Sequence, residues 1–169
     1  MATMHIGEIK AVARRAHENA TVLEGLFEAI QGNERDEAVH SAWAMTHLPK
    51  EDNHLIAAHR EELVRLATTT PDTSLRRITL SLLERIDWTT TDPDNVPEHY
   101  VALLDFSMEH MMMPDEPYGV RSLCMKLAYR LSLPYPELME ELRQSLMMME
   151  PTELGTGVLH TRNKILKSL

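Results

Sequence analysis

The chain has 169 residues, a length that fits one domain of ordinary size whose core needs no covalent staples. Its formal net charge of −9 argues against unselective binding of nucleic acid or membrane by the whole surface. One cysteine, Cys124, excludes an internal disulfide and any multi-cysteine metal site, and no apolar run approaches the roughly 20 residues needed to cross a bilayer.

Leu, Ala, Met and Glu lose little side-chain freedom in a helix, and glycine and aromatic residues are scarce here. Helical periodicity runs through nearly the whole chain, and strand-like alternation nowhere persists. The spacing predicts helices near 4–18, 20–31, 35–47, 53–67, 73–87, 97–111, 118–131, 136–148 and 156–168, with ends good to about 2–4 residues. Asp72 or Thr73 before Leu75, and Pro97 and Pro136 in first turns, supply start signals. The one long connection runs from Trp88 to Val96 and is polar, with Pro93 inside it.

Alternate helices repeat one another. Val39, Ala42, Trp43 and Thr46 hold positions i, i+3, i+4 and i+7, and so do Leu75, Ile78, Thr79 and Leu82. The column returns as Val120, Leu123, Cys124 and Leu127, then less cleanly as Val158, Thr161, Arg162 and Ile165. The intervals are 36, 45 and 38 residues, and the longest holds the polar connection. Each of these helices follows another amphipathic helix across a short turn. A lone helix pair cannot cover its own apolar stripe, so stacked pairs with a shared core are expected.

Here the sequence resembles HEAT and armadillo repeats. Their second helix opens on an acidic residue, followed three positions on by an aliphatic residue and then arginine. Asp72-Thr73-Ser74-Leu75-Arg76 matches this fully. Asp36 to His40 matches with histidine in the arginine place, and Pro117 to Arg121 matches with proline in the acidic place. The last unit, with Gly155 and Leu159, fits weakly, as a terminal unit can. Residues 4–18, with Ile9, Val12, Ala13 and Ala16 at the same spacing, read as a capping half-unit. The resemblance implies an all-α, right-handed α-α superhelix, a short α-solenoid over one domain, 1–169. Its pairs lie near 20–47, 53–87, 97–131 and 136–168.

The first helix of each pair is termed A and the second B. The A helices carry ten carboxylates against three arginines, a net −7, and the last three B helices a net +7. The resemblance implies that B helices line the concave side, the usual surface for gripping a partner. The expected function is therefore a non-enzymatic interaction module whose B face binds an anionic partner, either an acidic protein segment or a nucleic-acid backbone. Arg77, Arg121, Lys126, Arg130, Arg162 and Lys164 are the expected contacts. A structural reading stands beside this one. Arg76 and Arg121 occupy a ladder position that pairs inside such stacks, Asp72 and Arg76 form an i, i+4 pair, and Arg85, Arg130 and Lys167 lie near helix C-termini, where cations are favoured.

Chemistry-bearing motifs are few. The triplets Met111 to Met113 and Met147 to Met149 end A helices before proline turns, and flexible methionines packed between repeats account for them better than a Cu(I) site at His110. His40 and His47 lie two turns apart, about 10 Å by helix rise, too far for one zinc. His54 and His59 share no ligand face, and a solvent-exposed structural role is expected for each histidine. Cys124 is expected as a small buried hydrophobe. No nucleotide-binding loop or nucleophile elbow occurs, so no catalytic residue, metal or cofactor is assigned. The alternative is a DNA-binding enzyme resembling HEAT-like alkylpurine DNA glycosylases, for which Trp43, Asp36 and Asp72 are the residues to place. A cytoplasmic location is expected, because the start Met1 to Glu8 lacks the pattern of a secretion signal.

Overall fold

The computed structural model describes residues 4–169. These form ten α-helices and three 3-10 turns, with no strand among the described residues. Among the described residues, no helix is long and apolar enough to cross a membrane. The chain divides into two compact units, Met1–Ile86 and Asp87–Leu169, and the boundary falls at the start of the polar connection.

The first unit holds α1 (Ile6–Glu18), α2 (Ala20–Ile30), α3 (Arg35–Thr46), α4 (Asn53–Ala57), α5 (Arg60–Thr69) and α6 (Thr73–Glu84). The Glu8 carboxylate accepts the His5 amide at 2.8 Å at the start of α1. Asn19 ends α1 in an extended conformation, and its side-chain oxygen accepts the Thr21 amide, which opens α2. The cap helix α1 packs on both α2 and α3 and buries Ile9, Ala13 and Ala16 against them. The pairs are α2 with α3 and α5 with α6, and α3 packs on α6.

The helix predicted over 53–67 is broken. The chain turns at Ala58 and His59, where the freed Ala57 carbonyl accepts Arg60 Nε at 3.0 Å and the His59 ring stacks on Phe27 at 3.7 Å. A side-chain donor thus replaces the missing backbone amide, and the stacked ring holds the bend.

The second unit holds α7 (Glu98–His110), α8 (Tyr118–Ser132), α9 (Pro136–Met148) and α10 (Thr156–Leu166). Its pairs are α7 with α8 and α9 with α10, and α8 also packs on α10. Pro97 takes the N-cap place of α7, and Pro136 the first turn of α9, where a missing amide costs nothing. The connection before α7 is fastened at two points. Trp88 is buried with its edge on Tyr100, and the Tyr135 hydroxyl donates to the Pro93 carbonyl at 2.8 Å.

In both units the B helices pack closely on each other, whereas the backbones of the A helices stand farther apart, α2 and α5 meeting through side chains such as Phe27 with His59 and Gln31 with Arg65. The B layer is therefore the tight side of each unit. The repeated column is buried in three B helices, as Leu75, Ile78, Thr79 and Leu82 in α6, Val120, Cys124 and Leu127 in α8, and Val158, Thr161 and Ile165 in α10. In α3 only Ala42 of the column is buried, and Ala38, Ser41 and Met45 fill the core there. Fully burying one such aliphatic side chain contributes about 1.5–3 kcal/mol, far more than helix propensity supplies per residue.

Candidate interaction surface

An α-helix leaves its last carbonyls without intrahelical donors. Three B-helix arginines supply donors to the A helix of their own pair. Arg76 donates from Nε to the Ala67 carbonyl at 3.2 Å and from Nη2 to the Thr70 carbonyl at 2.6 Å, at the end of α5. Arg121 Nε donates to the Met111 carbonyl at 3.0 Å, at the end of α7. Arg162 Nε donates to the Leu146 carbonyl at 2.6 Å, near the end of α9. A guanidinium suits this place twice over, through its donors and through its charge at the negative end of the helix dipole. In the first pair, histidine stands at the equivalent position, and Gln31 Nε2 bonds the Phe27 carbonyl of α2 instead.

This divides the six expected partner contacts. Arg121 is buried, and Arg162 is half-buried with its Nε engaged, so both are withdrawn from the contact set and hold helix ends. Arg77 on α6 stays exposed in the first unit, and Lys126 and Lys164 stay exposed in the second, while Arg130 is half-buried. Lys126 and Lys164 are 38 residues apart, the interval of the repeat itself, so they sit at matching positions on the packed helices α8 and α10. Within helix bounds, α8 and α10 carry five cations and no carboxylate. Their A partners α7 and α9 carry six carboxylates and one arginine, Arg143. That arginine grips Glu140 through two hydrogen bonds, at 2.5 and 2.8 Å, and with Gln144 pulls the Glu140 carboxyl down to about 2.

Arg85, at the end of α6, reaches a set of acceptors that its position near a helix C-terminus did not foreshadow. It donates to the carbonyls of Met45, Thr46, Leu48 and Pro49, between 2.9 and 3.3 Å, and to Asn53 Oδ1 at 2.9 Å. Asn53 returns a hydrogen bond from Nδ2 to the Arg85 carbonyl. Burial lowers the Arg85 pKa, and the Asp52 carboxylate opposes that shift. Asp52 is itself buried and pairs with His17 Nδ1 at 2.8 Å. The hydrogen bond to Asp52, and then its charge, raise the His17 pKa.

Asp72 caps α6 by accepting the Leu75 amide at 2.9 Å, and its second oxygen takes Arg35 of α3. The Leu75 amide, with Arg35, holds the Asp72 carboxyl below its usual range. Asp72 is therefore a cap and, through Arg35, a link between stacked B helices. Trp43 is half-buried in α3 and Asp36 is exposed at its start. Cys124 is fully buried.

The histidines do not all face solvent. His110 stacks on Phe106 at 3.7 Å and bonds buried Glu116 at 2.7 Å, and His59 stacks on Phe27, because one helical turn or a bend brings each ring onto an aromatic face. The methionine triplets are split rather than packed. Met111 and Met149 are buried C-caps, but Met147 and Met148 are 58% and 79% exposed, since the helix turns those positions outward.

A hollow in the second unit lies on the A side. A groove of about 600 Å³ runs between α7 and α9, lined by Tyr100, Val101, Leu104, Met108 and Leu138, with Pro93, Val96, Tyr135 and Ser145 at its margins. Asp105, Glu109 and Glu141 complete the lining, and no lysine or arginine belongs to it. None of these features was legible as a site. The available signal was that α7 carries three carboxylates without a lysine or arginine to pair them along the helix.

Stacked amphipathic helix pairs with a tight B layer and arginine-capped A helices define an α-helical repeat protein. The chain belongs to the HEAT repeat family: the family model for the HEAT repeat domain matches residues 1–169. Such repeats serve generally as scaffolds for protein interaction. No curated protein and no solved structure matches the chain.

Proposed function

We propose that this protein is a non-enzymatic interaction module whose B-helix face in the second unit receives an acidic segment of another protein. One observation carries the reading: two packed helices, α8 and α10, present five cations and no carboxylate in a chain of net charge −9. Two of those cations, Arg121 and Arg162, serve helix ends, which leaves Lys126 and Lys164 as the exposed pair at matching repeat positions. Arg130 flanks them, and Arg77 is an exposed cation of α6 in the first unit, one turn before the matching repeat position, which holds Ser81. Lysines of this kind raise local anion concentration and speed association, with strong dependence on salt. A protein segment fits better than nucleic acid, because the net negative charge repels a polyanion at distances beyond the patch.

The test is fluorescence anisotropy with a labelled Glu/Asp-rich peptide and, in parallel, duplex DNA of similar length. Wild type binds the peptide in a salt-sensitive manner and the DNA more weakly. Binding of the peptide drops at least tenfold in Lys126→Glu/Lys164→Glu with an unchanged helical spectrum. Equal binding by that variant, or tighter binding of DNA than of the peptide, refutes the reading.

A further inference from the structure

We propose that the groove between α7 and α9 is a second docking site. Its occupant is a short amphipathic helical segment of a partner protein, with an aliphatic or aromatic anchor and Lys or Arg one turn away. This goes beyond the B-face reading, since it concerns the opposite charge on the other helix layer.

The groove exists because the backbones of α7 and α9 stand apart, which leaves a trough of about 600 Å³, within the range of preformed ligand sites. Its floor is apolar, and Val101 is 43% exposed along it. The two tyrosines of the lining have their hydroxyls engaged. Tyr100 donates to the Leu131 carbonyl at 2.6 Å and Tyr135 to the Pro93 carbonyl, so their rings are fixed and offer apolar faces. Burial pushes the Tyr100 hydroxyl up to about 12, so it stays neutral there.

The charge on the walls selects the partner. Asp105 and Glu109 stand one turn apart on α7, roughly 6 Å by helix rise, and Glu141 faces the groove from α9. All three are exposed, and no hydrogen bond or ion pair to a described residue holds any of them. Glu140, on the same helix as Glu141, shows the contrast, since Arg143 neutralises it. From Val101 to Met108 the wall spans about 10 Å, two helical turns, which matches a helix laid in a groove with anchors at i and i+4. An incoming cation relieves the Asp105–Glu109 repulsion, whereas an acidic peptide or nucleic acid meets three carboxylates.

The experiment is selection of a phage-displayed random 12-residue library on the full chain, followed by calorimetric titration of the enriched peptides. The expected consensus is an apolar anchor flanked by Lys or Arg. The selected peptides bind Asp105→Lys/Glu109→Lys/Glu141→Lys at least tenfold more weakly than wild type, and they bind Lys126→Glu/Lys164→Glu as wild type does. Circular dichroism checks folding, and if the reversed variant unfolds, Asp105→Asn/Glu109→Gln/Glu141→Gln shows the same direction of loss. No enrichment, an acidic consensus, or equal binding by the folded variants overturns the proposal. So does sedimentation showing that the groove closes on a second copy of the chain.

Discussion

Arg121 donates from Nε to the carbonyl oxygen of Met111, 3.0 Å away, and both residues are buried. The bond joins the first turn of a B helix to the C-cap of the A helix in the same pair, and Arg76 and Arg162 repeat its logic on α5 and α9. Removing the guanidinium leaves a buried carbonyl without a donor. Arg121→Met is expected to lower unfolding free energy by about 2 kcal/mol. Arg121→Lys recovers only part of this, because an ammonium is a compact point donor without the planar fork. Urea unfolding followed by circular dichroism measures both. Arg77→Met, at an exposed site on α6, shifts stability by no more than about 0.5 kcal/mol.

Arg85 holds more acceptors than any ladder arginine. Four carbonyls at the end of α3 and beyond it, together with Asn53, depend on one side chain. Arg85→Met is expected to cost about 3 kcal/mol, since several half-buried acceptors and the Asp52 carboxylate lose their cation together. Hydrogen exchange is expected to localise the loss to α3 and α6, which places the defect in the first unit. A uniform acceleration over both units contradicts this account.

The stacking of helix pairs was legible because burial acts through periodicity. Leu75, Ile78, Thr79 and Leu82 share a face at helical spacing, and that face is buried. Asp72 was legible as a cap for the same local reason. What could not be read depends on contacts between segments distant in sequence. Arg121 and Lys126 are both cations on α8, yet five positions, more than one helical turn, put one against a helix end and the other in solvent. The bend at Ala58 and His59 rests on Phe27, which lies 32 residues earlier than His59. The α7/α9 groove arises from a gap between helices, and a gap has no sequence motif.

His17 introduces a pH dependence of known sign. Its partner Asp52 raises its pKa in the folded protein, with smaller support from Glu51 and Glu18. A raised histidine pKa contributes stability in full below the unfolded value, near 6.5, and that contribution is lost as pH climbs through the folded value. The stability difference between wild type and His17→Gln is therefore expected to be largest near pH ~5.5 and to shrink toward pH ~9. A series of urea titrations across that range checks it. A difference that grows with pH contradicts the Asp52 pairing.

The central claim separates cations that hold helix ends from cations that meet a partner. Its most direct test measures stability and acidic-peptide affinity side by side for Arg121→Met and Lys126→Glu/Lys164→Glu. The account predicts a crossed result: the arginine variant is destabilised but still binds when folded, and the lysine variant is stable but loses binding at least tenfold. If the lysine variant binds as wild type does, or if the arginine variant keeps full stability, the division of roles is contradicted.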